Sequence, residues 1–160
     1  WGLCVALRAC LNAVTHLASA VSRIGSHRWP IELTPTVRQF LDGVTEITGV
    51  AFDPTRPDDV LDRLGSISRF VGATLHDTAN PTLLSAGYKH NVIPQTAEAF
   101  VDCRHLPGHE DTLLQTVREL AGPHVDVEVH HRDISLETTF DGALVDAMVG
   151  ALTEIGRAHV

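Results

Sequence analysis

The sequence predicts an α+β domain with helices packed on one face of a sheet. Apolar residues recur at helical spacing in several segments, they alternate with polar residues in others, and Gly and Pro separate these segments. The chain has 160 residues, of which 44% are hydrophobic and 20% are charged, so it can build one ordinary globular core. One domain is therefore expected.

Two helices are predicted in the first third of the chain. The first follows Asn12, a residue type that favours the N-cap, and ends at Gly25. The second follows Thr34, has Pro35 at its first position and ends at Gly49. The predicted apolar faces consist of Val14, Leu17, Ala18, Val21 and Ile24 in the first helix, and of Val37, Phe40, Leu41, Val44 and Ile47 in the second.

Strands and helices are predicted to follow one another in the rest of the chain. Residues 52–75 favour one or two short helices, and residues 82–85 form a short apolar run typical of a strand. Residues 96–104 alternate, with Ala97, Ala99, Val101 and Cys103 on one face, and residues 125–129 alternate in the same way. A helix bearing Leu113, Leu114, Val117 and Leu120 is expected between these two strands, and a last helix is expected to begin at Asp141 or Gly142.

This order of elements lacks only a leading strand to become the split βαβ pattern of ferredoxin-like domains. The missing strand would fall within Trp1 to Cys10, and we expect it to be truncated or corrupted because residues 1–10 look like a ragged, non-native N-terminus. The predicted organisation is a domain over residues 11–140 with a helical insert at 34–75, and then a helix at 141–153. Residues 154–160 are expected to be a sequencing or cloning scar.

Charge and cysteine content narrow the classes of partner. The chain carries 12 basic and 20 acidic residues, a net charge of -8, which repels phosphate backbones and anionic lipid. Nucleic acid and membranes are therefore poor partners. The three cysteines are odd in number and no pair has the spacing of a zinc knuckle or redox motif, which favours a reducing, cytoplasmic setting.

A turn and strand in the middle of the chain resemble one family of enzymes. The segment Asn80–Pro94, which ends in Asn91-Val92-Ile93-Pro94, is followed by Asp102-Cys103-Arg104 and Leu106-Pro107-Gly108. This pattern is similar to the dimerisation (lid) domain of the di-zinc metallopeptidases and amidohydrolases that include aminoacylase, acetylornithine deacetylase, succinyl-diaminopimelate desuccinylase and glutamate carboxypeptidase. The resemblance extends from about Asn12 to Thr153.

The resemblance implies a function that this chain would share with other parts of an enzyme. In that family the lid is inserted into a catalytic domain that binds two zinc ions, and a Glu beside them acts as general base. The chain would then be a fragment of a zinc-dependent hydrolase of amide bonds in N-acyl amino acids or small peptides. It would bind substrate and form a homodimer, residues 141–153 would lead back to the absent catalytic domain, and the isolated chain would be inactive.

Two residues are implied to bind substrate. A side-chain amide at Asn91 can donate a hydrogen bond to a carbonyl that becomes an oxyanion, although an Asn at this spacing more commonly only stabilises a turn. The planar guanidinium of Arg104 can hold a carboxylate through two parallel hydrogen bonds, although an Arg at a strand end is more often a solvated charge or a partner for Asp102. The resemblance favours the binding role for both residues.

One family feature has no counterpart here. A His that precedes the first lid helix is thought to reach into the partner's active site, but residues 1–10 contain no His, and His16 lies inside the predicted helix. Because no His stands there, it is in doubt whether this chain contributes a residue to the active site of the other subunit.

The ten histidines also raise the question of a metal site within the chain. His105 and His109 have a four-residue separation, but Pro107 and Gly108 interrupt any helix between them. We therefore expect no metal to be bound by this chain. A free-standing ferredoxin-like module that dimerises or binds a small carboxylate is the main alternative function, and a His-rich metal carrier is a third.

Overall fold

A computed structural model describes residues 2–139 and 141–158, which form a four-stranded antiparallel sheet with two helices on one face, a helical insertion and a last helix. The strand order is β2-β3-β1-β4, and each neighbouring pair is antiparallel. This confirms the predicted α+β class and the ferredoxin-like arrangement. The strands are β1 Leu3–Cys10, β2 Thr78–Ala86, β3 Thr96–Arg104 and β4 Val125–Arg132.

The leading strand lies within Trp1 to Cys10, as predicted, and it is short at eight residues. It occupies a central position, because it pairs with β3 over its whole length and with β4 from Leu3 to Ala9. Its side chains alternate between the two faces of the sheet. The segment that we interpreted as a ragged N-terminus thus contributes four buried residues to the core, namely Leu3, Val5, Leu7 and Ala9.

Two helices, α1 (Ala13–Ser26) and α5 (Glu110–Ala121), cover one face of the sheet. The α5 prediction is confirmed, since the helix ends before Gly122 and buries Leu113, Leu114 and Val117. Arg23 of α1 donates hydrogen bonds to the carbonyl oxygens of Leu120 and Ala121, at 2.6 and 2.9 Å. These bonds satisfy carbonyls that the end of α5 leaves without helical partners.

The buried stripe of α1 differs from the predicted one. It consists of Ala13, Leu17, Ala20 and Ile24, whereas Val14 is 45% exposed and Ala18 is also exposed. The sheet lies under one line of the helix, and small Ala side chains allow a close approach there. Asn12 occupies the N-cap position in a left-handed conformation with φ 48°, and its side chain makes no capping hydrogen bond.

The helical insertion between α1 and β2 has a second hydrophobic core, formed around Leu41, Val44, Val60 and Leu75. Thr34 caps α2 as predicted: its Oγ1 accepts a hydrogen bond from Val37 N–H at 3.3 Å. Gly49 ends the helix with φ 71°. The insertion comprises α2 Pro35–Thr48, α3 Asp58–Leu61, a 3-10 helix at Asp62–Ile67 and α4 Ser68–Gly72.

Residues 133–139 connect β4 to the last helix and are attached to α2. Thr36 at the start of α2 donates its N–H to Glu137 Oε1 at 3.2 Å, and its hydroxyl donates to Thr138 O at 2.6 Å. The bond from the Thr36 N–H lowers the pKa of Glu137. The last helix, α6 Ala143–Ala158, begins close to the predicted residue 141 or 142 but continues past the predicted end at residue 153. It leaves Leu144, Met148 and Val149 exposed.

Candidate substrate-binding site

Asn91 lies in the connection between β2 and β3, at one end of the sheet. A backbone hydrogen bond from Val92 N–H to Lys89 O, at 3.3 Å, closes the turn that contains it. Asn91 is exposed. It lines an open cavity of about 350 Å³ between this connection and the start of α1, together with Asn12, Val14, Thr15 and residues 90–94. The amide can therefore reach a molecule outside the domain.

Gly87 at the start of this connection has a structural requirement for glycine. Its φ is 70°, and a Cβ built there would lie 3.2 Å from Pro94 Cγ. A side chain would therefore be strained by the backbone angle and would also press on the ring of Pro94. Gly87 and Pro94 therefore pack closely on either side of the Asn91 turn.

Arg104 is the last residue of β3, at the other end of the sheet. Its Nε donates to Asp102 Oδ2 at 3.0 Å, and more than half of its side chain is exposed. The ion pair with Asp102 is the alternative that the sequence left open, and it is present. The pairing leaves the guanidinium at the surface, where an exposed ion pair contributes little to stability.

A cavity of about 200 Å³ lies beside Arg104. It is bounded by the end of β3, the start of α2, the chain that precedes β2 and residues 135–138. Its lining includes three threonines and several apolar residues, among them Thr34, Thr36, Thr74, Val37, Leu106 and Leu136.

The structure does not bring the two predicted site residues together within one chain. Asn91 precedes β3 and Arg104 ends it, so β3 runs between them. Eight residue steps from Thr96 to Arg104 span about 26 Å at the usual rise of a strand. One substrate of the size of an N-acyl amino acid cannot contact both residues of the same chain.

Comparison with known proteins identifies the family. The model of a family described as a peptidase dimerisation domain matches residues 8–127. The chain belongs to this family. Comparison with curated proteins by sequence gave no match.

Solved structures with similar folds include two metallopeptidases. The M20 family metallo-carboxypeptidase Sso-CP2 from Sulfolobus solfataricus has a TM-score of 0.57 and 13% identity, over 96% of this chain and 49% of that one. The YxeP protein of Bacillus subtilis, a dinuclear metal-binding peptidase of the M20 family, has a TM-score of 0.51 and 12% identity, over 97% and 32%. These likenesses show a shared fold. This dimerisation domain spans about half of the first chain and about a third of the second.

The described residues of this dimerisation domain hold no group of three or more His, Cys, Asp or Glu side chains placed to bind a metal ion. His130 packs against the ring of Phe100, and His131 lies 3.1 Å from Asp133. His109 lies between two carboxylates. The donor set in the described part of the chain thus does not fit a dinuclear metal centre, and we assign no chemical step to a metal here.

Two histidines and one carboxylate near Arg104 were not predicted as a group. Asp77 is buried at the start of β2, where it accepts a hydrogen bond from Leu106 N–H and contacts His109. His105 is also buried, and its Nε2 has no hydrogen-bond partner among the described residues. Asp77 stands in a polar stretch of sequence, so no periodic pattern indicates that it is buried. Only the packing of three separate segments reveals this group.

No helix in the described part of the dimerisation domain combines the length and the apolar character that a bilayer span requires.

The three cysteines differ in environment, and this predicts an order of chemical reactivity. Burial raises the pKa of the Cys103 thiol to about 12, and burial also raises the pKa of Cys4. Cys10 is exposed. Because the thiolate is the reactive form, iodoacetamide at pH 8 should modify Cys10 first and Cys103 only on unfolding. Mass spectrometry of timed samples measures this order, and equal rates for Cys103 and Cys10 in the folded protein would contradict it.

The same shift predicts how stability depends on pH. The folded pKa of Cys103 lies above that of an unfolded thiol, about 8.5, so the unfolded state loses this proton first. The contribution of the Cys103 thiol to the free energy of unfolding is therefore complete below about pH 8.5, and it decreases as the pH rises toward 12.

Proposed function

We propose that this chain supplies dimerisation and substrate binding to a zinc-dependent hydrolase of amide bonds in N-acyl amino acids or small peptides. Family membership over residues 8–127 is the observation that carries the proposal. The zinc ions, the attacking water and the general base would come from a domain outside this chain. Asn91 would donate a hydrogen bond to the scissile carbonyl, and Arg104 would bind the substrate carboxylate.

The first test is the activity of the chain alone. We expect the purified chain to release no free amine from N-acetyl amino acids or dipeptides, with or without added Zn²⁺, because no metal-ligand cluster lies in its described residues. Amine release is measured with a ninhydrin or fluorogenic assay. If the purified chain hydrolyses these substrates and Arg104→Ala abolishes that activity, the proposal that the catalytic groups come from another domain is wrong.

The edge of the sheet supports dimerisation of this chain with a second copy. β2 is an edge strand, and its residues 82–86 are all exposed. Leu83 and Leu84 are 64% and 62% exposed, respectively. An exposed apolar edge strand offers free backbone hydrogen-bonding groups to another strand. Leu84 pairs with the buried Ala99 and so lies on the helical side of the sheet, the side that also carries α1 with its exposed Val14.

Pairing through β2 would also explain how two distant residues act on one substrate. In a symmetric dimer, two identical edge strands pair antiparallel. The end of β2 that leads into Asn91 then lies beside the start of the partner's β2, which pairs with the partner's Arg104. If the two β2 strands overlap fully, two strand spacings, about 10 Å, would separate the end of β2 from the partner's Arg104, and the Asn91 connection follows that end of β2. Each site would then be shared between two chains.

A charge placed on this edge should separate the dimer. We expect the chain to sediment as a dimer and Leu84→Glu to sediment as a monomer, because a carboxylate would be buried without a partner in the interface. Ile47→Glu is the matched control, since Ile47 is 87% exposed and lies on α2 of the helical insertion rather than on β2. A wild-type monomer at 100 µM, or a Leu84→Glu dimer, would overturn the proposed interface.

A further inference from the structure

Asp77 is a buried carboxylate beside the point where the chain leaves the sheet at the end of β3. Its side chain is 8% exposed, and Asp77 and His105 are the buried polar residues in the described part of the chain. A buried carboxylate is destabilising unless its oxygens have partners. Both oxygens of Asp77 have one: Oδ1 accepts from Leu106 N–H at 2.7 Å, and Oδ2 lies 3.2 Å from His109 Nδ1.

Both hydrogen-bond partners of Asp77 belong to the segment that follows Arg104. Thr78, the residue after Asp77, pairs directly with Arg104 across the sheet, and Leu106 is two residues beyond Arg104. On the other side, Ser135 Oγ donates to the carbonyl oxygen of His105 at 3.2 Å. The chain that follows Arg104 is therefore held from two directions by side-chain hydrogen bonds.

His109 extends this arrangement to the helical insertion. Its Nδ1 faces Asp77, and its Nε2 lies 3.4 Å from Glu32 Oε2. Glu32 in turn donates its backbone N–H to Leu75 O at 2.8 Å, just before Asp77 in sequence. The insertion, the start of β2 and the turn after β3 are thus joined through one imidazole between two carboxylates.

We propose that Asp77 is a positioning residue for Arg104. By fixing the Leu106 N–H and, through His109, the turn after β3, it sets the direction in which the Arg104 guanidinium leaves the strand end. A bidentate contact with a carboxylate needs a defined orientation of the guanidinium plane. The inference rests on the proposed function in one respect, which is that the carboxylate held by Arg104 is that of the substrate.

Nuclear magnetic resonance on the ¹⁵N-labelled chain tests the positioning without a substrate. The Nε–Hε signal of Arg104 is assigned with Arg104→Lys and reports the surroundings of its guanidinium. We expect Asp77→Ala to move this signal and to speed hydrogen exchange of the Leu106 amide by about tenfold or more, since it loses its acceptor. Asp62→Ala, a change of an exposed Asp in the 3-10 helix, should alter neither.

Asp77→Asn keeps the test decisive if Asp77→Ala does not fold. The amide oxygen can still accept from Leu106 N–H, but the charge opposite His109 is lost, so we expect a smaller displacement of the Arg104 signal and little change in Leu106 exchange. If an Asp77 variant is only less stable overall, its melting temperature falls but the Arg104 signal does not move. An unmoved Arg104 signal in a folded Asp77 variant overturns the inference.

Kinetics in an enzyme that joins this chain to its metal-binding domain separate this inference from the proposed function. We expect Asp77→Ala to raise KM for carboxylate substrates about 10- to 100-fold, as small misplacements of a binding group do, with kcat nearly unchanged. Carboxamide analogues should show no such change. If Arg104→Ala leaves KM unchanged, the proposed role of Arg104 fails. If Arg104→Ala raises KM and Asp77→Ala does not, only the positioning role fails.

Discussion

Asn91→Ala should lower kcat by about 100- to 1000-fold in an enzyme that joins this chain to the metal-binding domain proposed above. Removing one donor to a developing oxyanion raises the activation free energy by about 2.7–4 kcal/mol, because the charge forms only in the transition state. KM should change little, since the bond to the neutral carbonyl of the bound substrate is weaker. Steady-state kinetics with an N-acetyl amino acid measure both constants.

Folding should be nearly unaffected by this change. Asn91 is exposed in a turn, and exposed substitutions away from special backbone sites usually change stability by less than about 0.5 kcal/mol. Gln39→Ala removes an exposed amide from α2 and is the matched control, with kcat expected at the wild-type value. Asn91→Asp should be at least as slow as Asn91→Ala, because a carboxylate cannot donate to the oxyanion. A kcat within threefold of wild type in both Asn91 variants would exclude the proposed role.

Leu7→Ala should produce the largest loss of stability among single changes in the sheet. Leu7 is fully buried in the central strand β1, between Ala99 on β3 and Val127 on β4. Truncation removes apolar surface and leaves a cavity that the paired strands cannot close, which costs about 2.7–5 kcal/mol. Urea denaturation at a fixed protein concentration measures this loss, since dimerisation would add a concentration-dependent contribution.

The matched control for this change is Leu136→Ala. Leu136 is 81% exposed, so its truncation should change the free energy of unfolding by less than about 0.5 kcal/mol. If Leu7→Ala costs less than about 1 kcal/mol while the slope of the urea transition is unchanged, the central position of β1 in the core is wrong. This result would also remove the basis for the strand order, which depends on β1 pairing with both neighbours.

An element was predicted correctly where the sequence pattern that indicates it lies within one short segment. The faces of β3 were predicted correctly because alternation along one strand is enough to assign them, and Ala97, Ala99, Val101 and Cys103 are all buried. The Thr34 cap and the Gly49 end of α2 are likewise interactions within one short segment. β2 was predicted too short, as 82–85 rather than Thr78–Ala86, because pairing with β3 extends the strand through Asn80 and Pro81 despite their weak strand preference.

Residue type and spacing along the chain were enough to predict the α+β class, the bounds of α2 and β3, the resemblance to the family, and Asn91 and Arg104 as candidates. Tertiary structure decided the remaining features: which line of α1 faces the sheet, that Asp77 is buried against Leu106 and His109, and that the two candidates lie at opposite ends of β3. Strand pairing and packing set both the burial of a side chain and the distance between two segments. Strand pairing and packing involve residues that are far apart in the sequence, so a pattern within one segment does not predict them.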